Sequence, residues 1–291
     1  MADRRIVTVV SENVTPTTID PLPIEPTTAP AAPRRARTLA VLGDSTAVGL
    51  GDRIPGGWRG VGPFVAEALG VDADRYLNTS FTGARMRCVR DEQLPAALDH
   101  RPDVALVIVG MNDTLRSDFA PAVLAERLDD VVGALRAVGA TVVPLRFHDH
   151  GKVFRLPRPL YRALKSRIDE LNEAIDLVVA RHGVPCLDLA TVPGTYELPA
   201  WSVDRLHPSE FGHRLLARGF TDVLAEAGFA VPEPVTLERS GGVATSTLEH
   251  VGWLLVKGVP WLWRRGRDLV PHAASIMLRS AAETAIERGR R

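Results

Sequence analysis

The chain has 291 residues, and its 35 Lys and Arg are balanced by 35 Asp and Glu. Zero net charge excludes the global basic field of a nucleic-acid or anionic-membrane binder, so any such preference has to be local. Its two cysteines, Cys88 and Cys186, are far apart and lack CxxC or CxH neighbours, which excludes a zinc ribbon or a disulfide framework.

Residues 1–37 are rich in Pro and Thr, lack apolar periodicity and end in the basic cluster Arg34, Arg35 and Arg37. That composition predicts a mobile leader with no catalytic role. The apolar stretch from Ile6 to Val10 is too short for a secretory core, and no run approaches the roughly 20 apolar residues of a membrane span. A cytoplasmic protein is expected.

From Leu39 the pattern changes to short β-prone runs at 38–42, 73–78, 104–109, 141–145 and 184–189. Helical patterning at 64–69, 121–138, 161–181 and 208–227 separates them. Strands alternating with helices predict βαβ units, and therefore a parallel sheet covered by helices on both faces. Right-handed crossovers bring the loops after the strands to one edge of that sheet, where chemistry is to be sought. After Pro232 and Pro234 the pattern lapses. Gly241 and Gly242 form a joint, and a distinct segment follows to Arg291, so the reading is a leader at 1–37, a domain at 38–232 and a C-terminal helical extension at 233–291.

Four short blocks carry chemistry. Gly43, Asp44 and Ser45 follow the first strand, where a strand-to-helix turn projects a serine and its backbone N–H into the cleft. Serine is a weak nucleophile and needs a base of fixed tautomer. Asp204 and His207 have the spacing for it: the carboxylate can fold back onto Nδ1 while Nε2 faces outward, and Pro208 would sit in the first turn of the following helix. Otherwise Asp204 caps that helix and His207 is an exposed loop residue. Asn112, after the apolar strand 104–109, can aim its amide at a developing oxyanion, although Gly110, Asn112 and Asp113 also suit an ordinary turn. Gly83, in the loop 79–85, offers a backbone N–H.

These blocks, in this order, resemble the SGNH or GDSL hydrolase family, named for serine, glycine, asparagine and histidine. The resemblance covers residues 38–230 and implies a flavodoxin-like three-layer α/β/α sandwich. It also implies Ser45 as nucleophile, His207 and Asp204 as base and orienter, and Ser45, Gly83 and Asn112 as oxyanion donors, with Asp44 and Asp113 beside them contacting substrate. No cofactor or metal is called for. Thr46 stands where the family often has leucine, and no Gly-x-Ser-x-Gly elbow is present. A serine esterase on a small-molecule or lipid acyl ester is expected. An acyltransferase delivering a short or medium acyl chain to a carbohydrate hydroxyl shares every step up to the acyl-serine, and a non-catalytic carbohydrate or lipid binder is the alternative outside enzymes.

Two further stretches stand out. His148, Asp149 and His150 are ligand-type residues without a third partner, and read as a loop or cleft wall rather than a metal site. The basic, proline-punctuated stretch 147–159 is either a solvated loop or a cleft rim for an anionic or sugar-bearing substrate. Between Val251 and Trp263 lie three of the five tryptophans, and from Val251 onward eight Lys or Arg face three Asp or Glu. Packing on the domain, a homodimer contact through 243–291, peripheral membrane contact and a lid over the site are all open for this segment.

Overall fold

The computed structural model describes residues 32–154 and 156–242. In chain order they form β1 (Leu39–Gly43), α1 (Ser45–Val48), β2 (Arg53–Ile54), β3 (Gly57–Trp58), α2 (Val61–Leu69), β4 (Tyr76–Asn78), α3 (Met86–Cys88) and α4 (Leu94–His100). These are followed by β5 (Val104–Ile108), α5 (Met111–Thr114), α6 (Pro121–Ala137), β6 (Thr141–Arg146), α7 (Gly151–Phe154), α8 (Arg158–His182), β7 (Leu187–Asp188) and α9 (Glu210–Glu226).

Five strands form one parallel sheet in the order β4-β1-β5-β6-β7, and β2 and β3 make a separate antiparallel hairpin. This is the flavodoxin-like order, with the switch point between β1 and β5. The central strands β1 and β5 are buried at every position, as strands covered on both faces must be, and this explains their uninterrupted apolar sequences. Helix α6 packs on α8 and α4, while α2 packs on α9, which completes the three layers.

Two predicted strands are shorter than their β-prone runs. Residues Ala73–Arg75 make a 3₁₀ turn in which the Arg75 N–H bonds to the Asp72 carbonyl, so pairing starts at Tyr76. At the other edge the Val184 N–H still bonds to the Val179 carbonyl as the chain leaves α8, which delays β7 to Leu187. The basic stretch after β6 holds a helical turn, α7, and the first residues of α8. Both cysteines are free.

Just before β1, the Arg34 N–H donates to the Gly228 carbonyl, its own carbonyl accepts from Ala230, and Ala36 is buried. Residues 1–31 and 243–291, which carry most of the predicted leader and the Trp- and Arg-rich extension, lie outside the described residues. Among the described residues no helix is long and apolar enough to cross a membrane.

Candidate functional site

The site begins where β1 ends. A Cβ on Gly43 would lie 2.2 Å from the Ile108 carbonyl oxygen, so only glycine lets β1 and β5 stay paired up to the turn. On its other side Gly43 is gripped by a buried glutamine: its N–H donates to Gln93 Oε1 at 2.8 Å, and Gln93 Nε2 donates to its carbonyl at 2.9 Å. The carboxamide replaces the strand that β4, ending at Asn78, no longer supplies. Gln93 closes a turn of π-helix at Val89–Gln93. No sequence pattern marks it.

Asp44 is extended and caps α1, its Oδ1 accepting from the Thr46 N–H at 3.0 Å. Ser45 is therefore the first helical residue, and its N–H is one of the donors that a helix start leaves without an intrahelical acceptor. Its side chain is nearly buried and Oγ lies 2.8 Å from His207 Nε2.

On the far side, Asp204 organises a tight turn. Its Oδ1 accepts from Ser202 Oγ at 2.6 Å and from the N–H groups of Leu206 and His207 at 2.9 and 3.0 Å. Its Oδ2 meets His207 Nδ1 at 2.6 Å. Burial alone would raise the Asp204 pKa, but the hydrogen bond and charge of His207, with the turn's donors, hold it at about 2. Arg205 occupies the left-handed region at φ 54°, the one strained residue of the turn. The helix begins later than the sequence suggests: Pro208 pairs with Trp201 in a β-bridge, and Ser209 caps α9 by accepting from the Gly212 N–H at 3.2 Å. Neither Asp204 nor Pro208 belongs to the first helical turn, because a serine able to satisfy the free helical donors stands directly before Glu210.

Two buried contacts draw these distant segments together. His213 Nε2 bonds to the Leu50 carbonyl at 2.9 Å, and a Cβ on Gly51 would strike the Pro208 carbonyl at 1.9 Å. A side chain at position 51 would push the His207 turn away from Ser45. Asp52, Arg59, Glu210 and Arg214 extend the clamp as an ion-pair network.

Asn112 joins the remaining blocks. Its Nδ2 donates to the Ala84 carbonyl at 3.1 Å and to Asp44 Oδ2 at 3.4 Å, setting the loop that holds Gly83 beside the start of α1. Gly83 itself is exposed, at φ 83°. Asn78 supports the arrangement by donating to the Ala47 carbonyl at 2.9 Å. Asp113 is turned elsewhere: its oxygens accept from Arg85 Nε at 3.2 Å and from the Met86 N–H at 3.0 Å, anchoring the Gly83 loop rather than lining the cavity beside Ser45. Burial raises its pKa against those donors.

The cavity beside Ser45 is walled by Asp44, Asn112, His148, His150, Trp201 and His207 among others, with Leu145, Leu189 and Leu216 as aliphatic lining. His148 and His150 thus stand in the cleft wall, and among the described residues no group of three ligand-type side chains is placed to hold a metal. Phe147 and Trp201 complete the wall, although only their positions in the fold mark them.

Burial also lifts the Asp44 carboxyl to about 6, more than its bond from Thr46 lowers it. A carboxyl whose folded pKa lies above its unfolded value favours folding only while protonated. Its contribution is complete below pH 4 and turns into a deficit as pH rises through 6. The gap between 3.8 and about 6 corresponds to about 3 kcal/mol. Asn keeps the cap, so Asp44→Asn is expected to stabilise the fold by up to that amount at pH 8 and by almost nothing at pH 4. Urea unfolding at both pH values checks this, and equal shifts at the two would refute it.

Four similarities bear on the kinship of the chain. The family profile described as GDSL-like lipase/acylhydrolase matches residues 41–215. A GDSL-like esterase of Mycobacterium tuberculosis is 32% identical over 228 residues, covering 72% of this chain and 69% of that protein. An arylesterase of Vibrio mimicus is also 32% identical, over 117 residues that cover 40% of this chain and 57% of that one. The fold matches the structure of an acetyl xylan esterase from Geobacillus stearothermophilus with a TM-score of 0.54 at 18% identity, covering 68% of this chain and 98% of that one. The sandwich, the order of the sequence blocks and the profile match agree, and the chain belongs to the GDSL-like lipase/acylhydrolase family of hydrolases.

Proposed function

We propose that this protein is a serine esterase that cleaves acyl esters through an acyl-Ser45 intermediate. The observation that carries the reading is the continuous chain from Ser45 Oγ to His207 Nε2 at 2.8 Å and from His207 Nδ1 to Asp204 Oδ2 at 2.6 Å. A carboxylate held ionised beside Nδ1 favours the tautomer that leaves Nε2 free to accept the serine proton.

Ser45 Oγ adds to the ester carbonyl as His207 takes its proton. The resulting oxyanion is held by the N–H groups of Ser45 and Gly83 and by the Asn112 amide, with an expected contribution of roughly 3–4 kcal/mol for a side-chain donor. The Asn112 bond to Asp44 is the longer of its two, and is the one exchanged for the substrate oxygen. His207 then returns the proton to the departing alcohol. Water, activated by the same imidazole, releases the acid. An alcohol in place of water would make the reaction an acyl transfer, by the same residues and the same steps up to that point.

The relatives named as esterases support hydrolysis of small esters as the outcome. The test is a fluorophosphonate probe followed by intact mass and peptide mapping. One adduct, on Ser45, is expected, along with acid release from a panel of aryl esters whose yield does not fall when glycerol or a monosaccharide is added. Absence of the adduct, or its appearance on another residue, would overturn the assignment. Acyl glycerol or acyl sugar as the main product would change hydrolase to transferase.

A further inference from the structure

Within the cavity beside Ser45, two wall imidazoles, His148 and His150, have both ring nitrogens buried without a hydrogen-bond partner, and of the two His150 also faces the backbone of Leu206. His148 is 1% exposed. It is held in place by rings: Trp201 is stacked on it at 4.7 Å, and His150 lies 4.4 Å away. Native interiors rarely leave both nitrogens of an imidazole unsatisfied, and a polar side chain fixed in this way at the wall of a cavity points to a ligand. The cavity volume is about 30 Å³, room for about two water-sized groups.

We propose that His148 is a specificity-determining residue, and that the substrate group seated in this cavity is a short, uncharged one ending in a hydroxyl. The proposal rests on the esterase reading above. A neutral imidazole offers one donor and one acceptor, and a hydroxyl can engage either. An alkyl group of the same size leaves both nitrogens unpaired. A carboxylate can only accept, and would be best matched by an imidazolium. Burial and the neighbouring His150 oppose that charge by holding His148 well below the ordinary histidine range. His150, against the backbone of Leu206, is held at about 4, chiefly by burial. The hydroxyl can belong to the acyl group or to the alcohol of the ester, since both approach Ser45.

The test compares isosteric esters in two arms. The acyl arm pairs 4-nitrophenyl glycolate with 4-nitrophenyl propionate, and the alcohol arm pairs 2-hydroxyethyl acetate with propyl acetate. Each kcat/KM is divided by the ester's own hydroxide-catalysed rate. The wild-type enzyme is expected to favour the hydroxylated member about 10- to 100-fold in one arm, which identifies the source of the hydroxyl. His148→Leu should bring that ratio near 1, and His148→Gln should retain most of it. His148→Phe serves if the leucine variant does not fold.

Ester turnover without preference in either arm overturns the proposal and leaves a trapped water as the partner of His148. A preference that survives in the apolar variants overturns the role of this residue. No turnover of any ester, with Ser45 unlabelled, removes the esterase reading and this proposal with it.

Discussion

Ser45→Ala is expected to lower kcat for an activated ester on the order of 10⁶-fold while leaving the fold intact. The expected loss is large because every covalent step of the proposed mechanism passes through Oγ. What survives is the contribution of the oxyanion donors and of substrate binding, roughly 10³-fold over water. Stability should change by no more than about 1 kcal/mol, since the hydroxyl makes a single hydrogen bond, to His207, and the Ala methyl still fills the start of α1. Single-turnover kinetics with 4-nitrophenyl acetate and thermal unfolding of the same preparation separate the two effects. Activity within tenfold of wild type would remove Ser45 as nucleophile.

The second large effect is expected at Asp204→Asn, about 10⁴-fold in kcat, for a reason specific to this turn. Oδ1 of Asp204 accepts two backbone N–H groups as well as Ser202 Oγ, so that position must remain an oxygen in the variant. The amide nitrogen is then forced to the side facing His207 Nδ1. There it donates, places the ring proton on Nε2, and directs that proton at Ser45 Oγ instead of accepting one. The pH dependence of stability supplies an independent check. Asp204 has a folded pKa of about 2 against 3.8 unfolded, so its stabilisation of about 2 kcal/mol is complete above pH 4 and fades as pH falls through 2. The variant should lose that acid limb. A variant with wild-type kcat would mean that the carboxylate builds the turn and nothing more.

These expectations start from residues visible in the sequence. Gly43, Ser45, Asn112, Asp204 and His207 stand at the ends of β-prone runs or before a helix, and local rules suffice to mark them. The strand and helix periods were equally plain for β1, β5, α6 and α8, because each buries one continuous apolar surface. The edges were harder to read. Tyr76 and Leu187 begin their strands late, since neighbouring turns claimed the residues before them. Pro208 suits a helix start by local preference, yet Ser209 is the better cap and Pro208 is held in a bridge to Trp201.

The sequence by itself determined the layers of the domain and the chemical identity of the groups at the sheet's edge, because period, turn residues and side-chain type are local properties. Which of those groups meet was decided only by the tertiary structure. Asp113 is adjacent to Asn112 in the chain, yet its carboxylate is bound by Arg85 and the Met86 N–H outside the cavity. Gln93 is 50 positions from Gly43, and its amide takes the place of a neighbouring strand there. His207 is held beside Ser45 through the contact of Leu50 with His213 and of Gly51 with Pro208, and Trp201 stacks on His148 in the wall of the same cavity. Contacts of this kind depend on the sum of packing across the whole domain, and no window of neighbouring residues contains that sum.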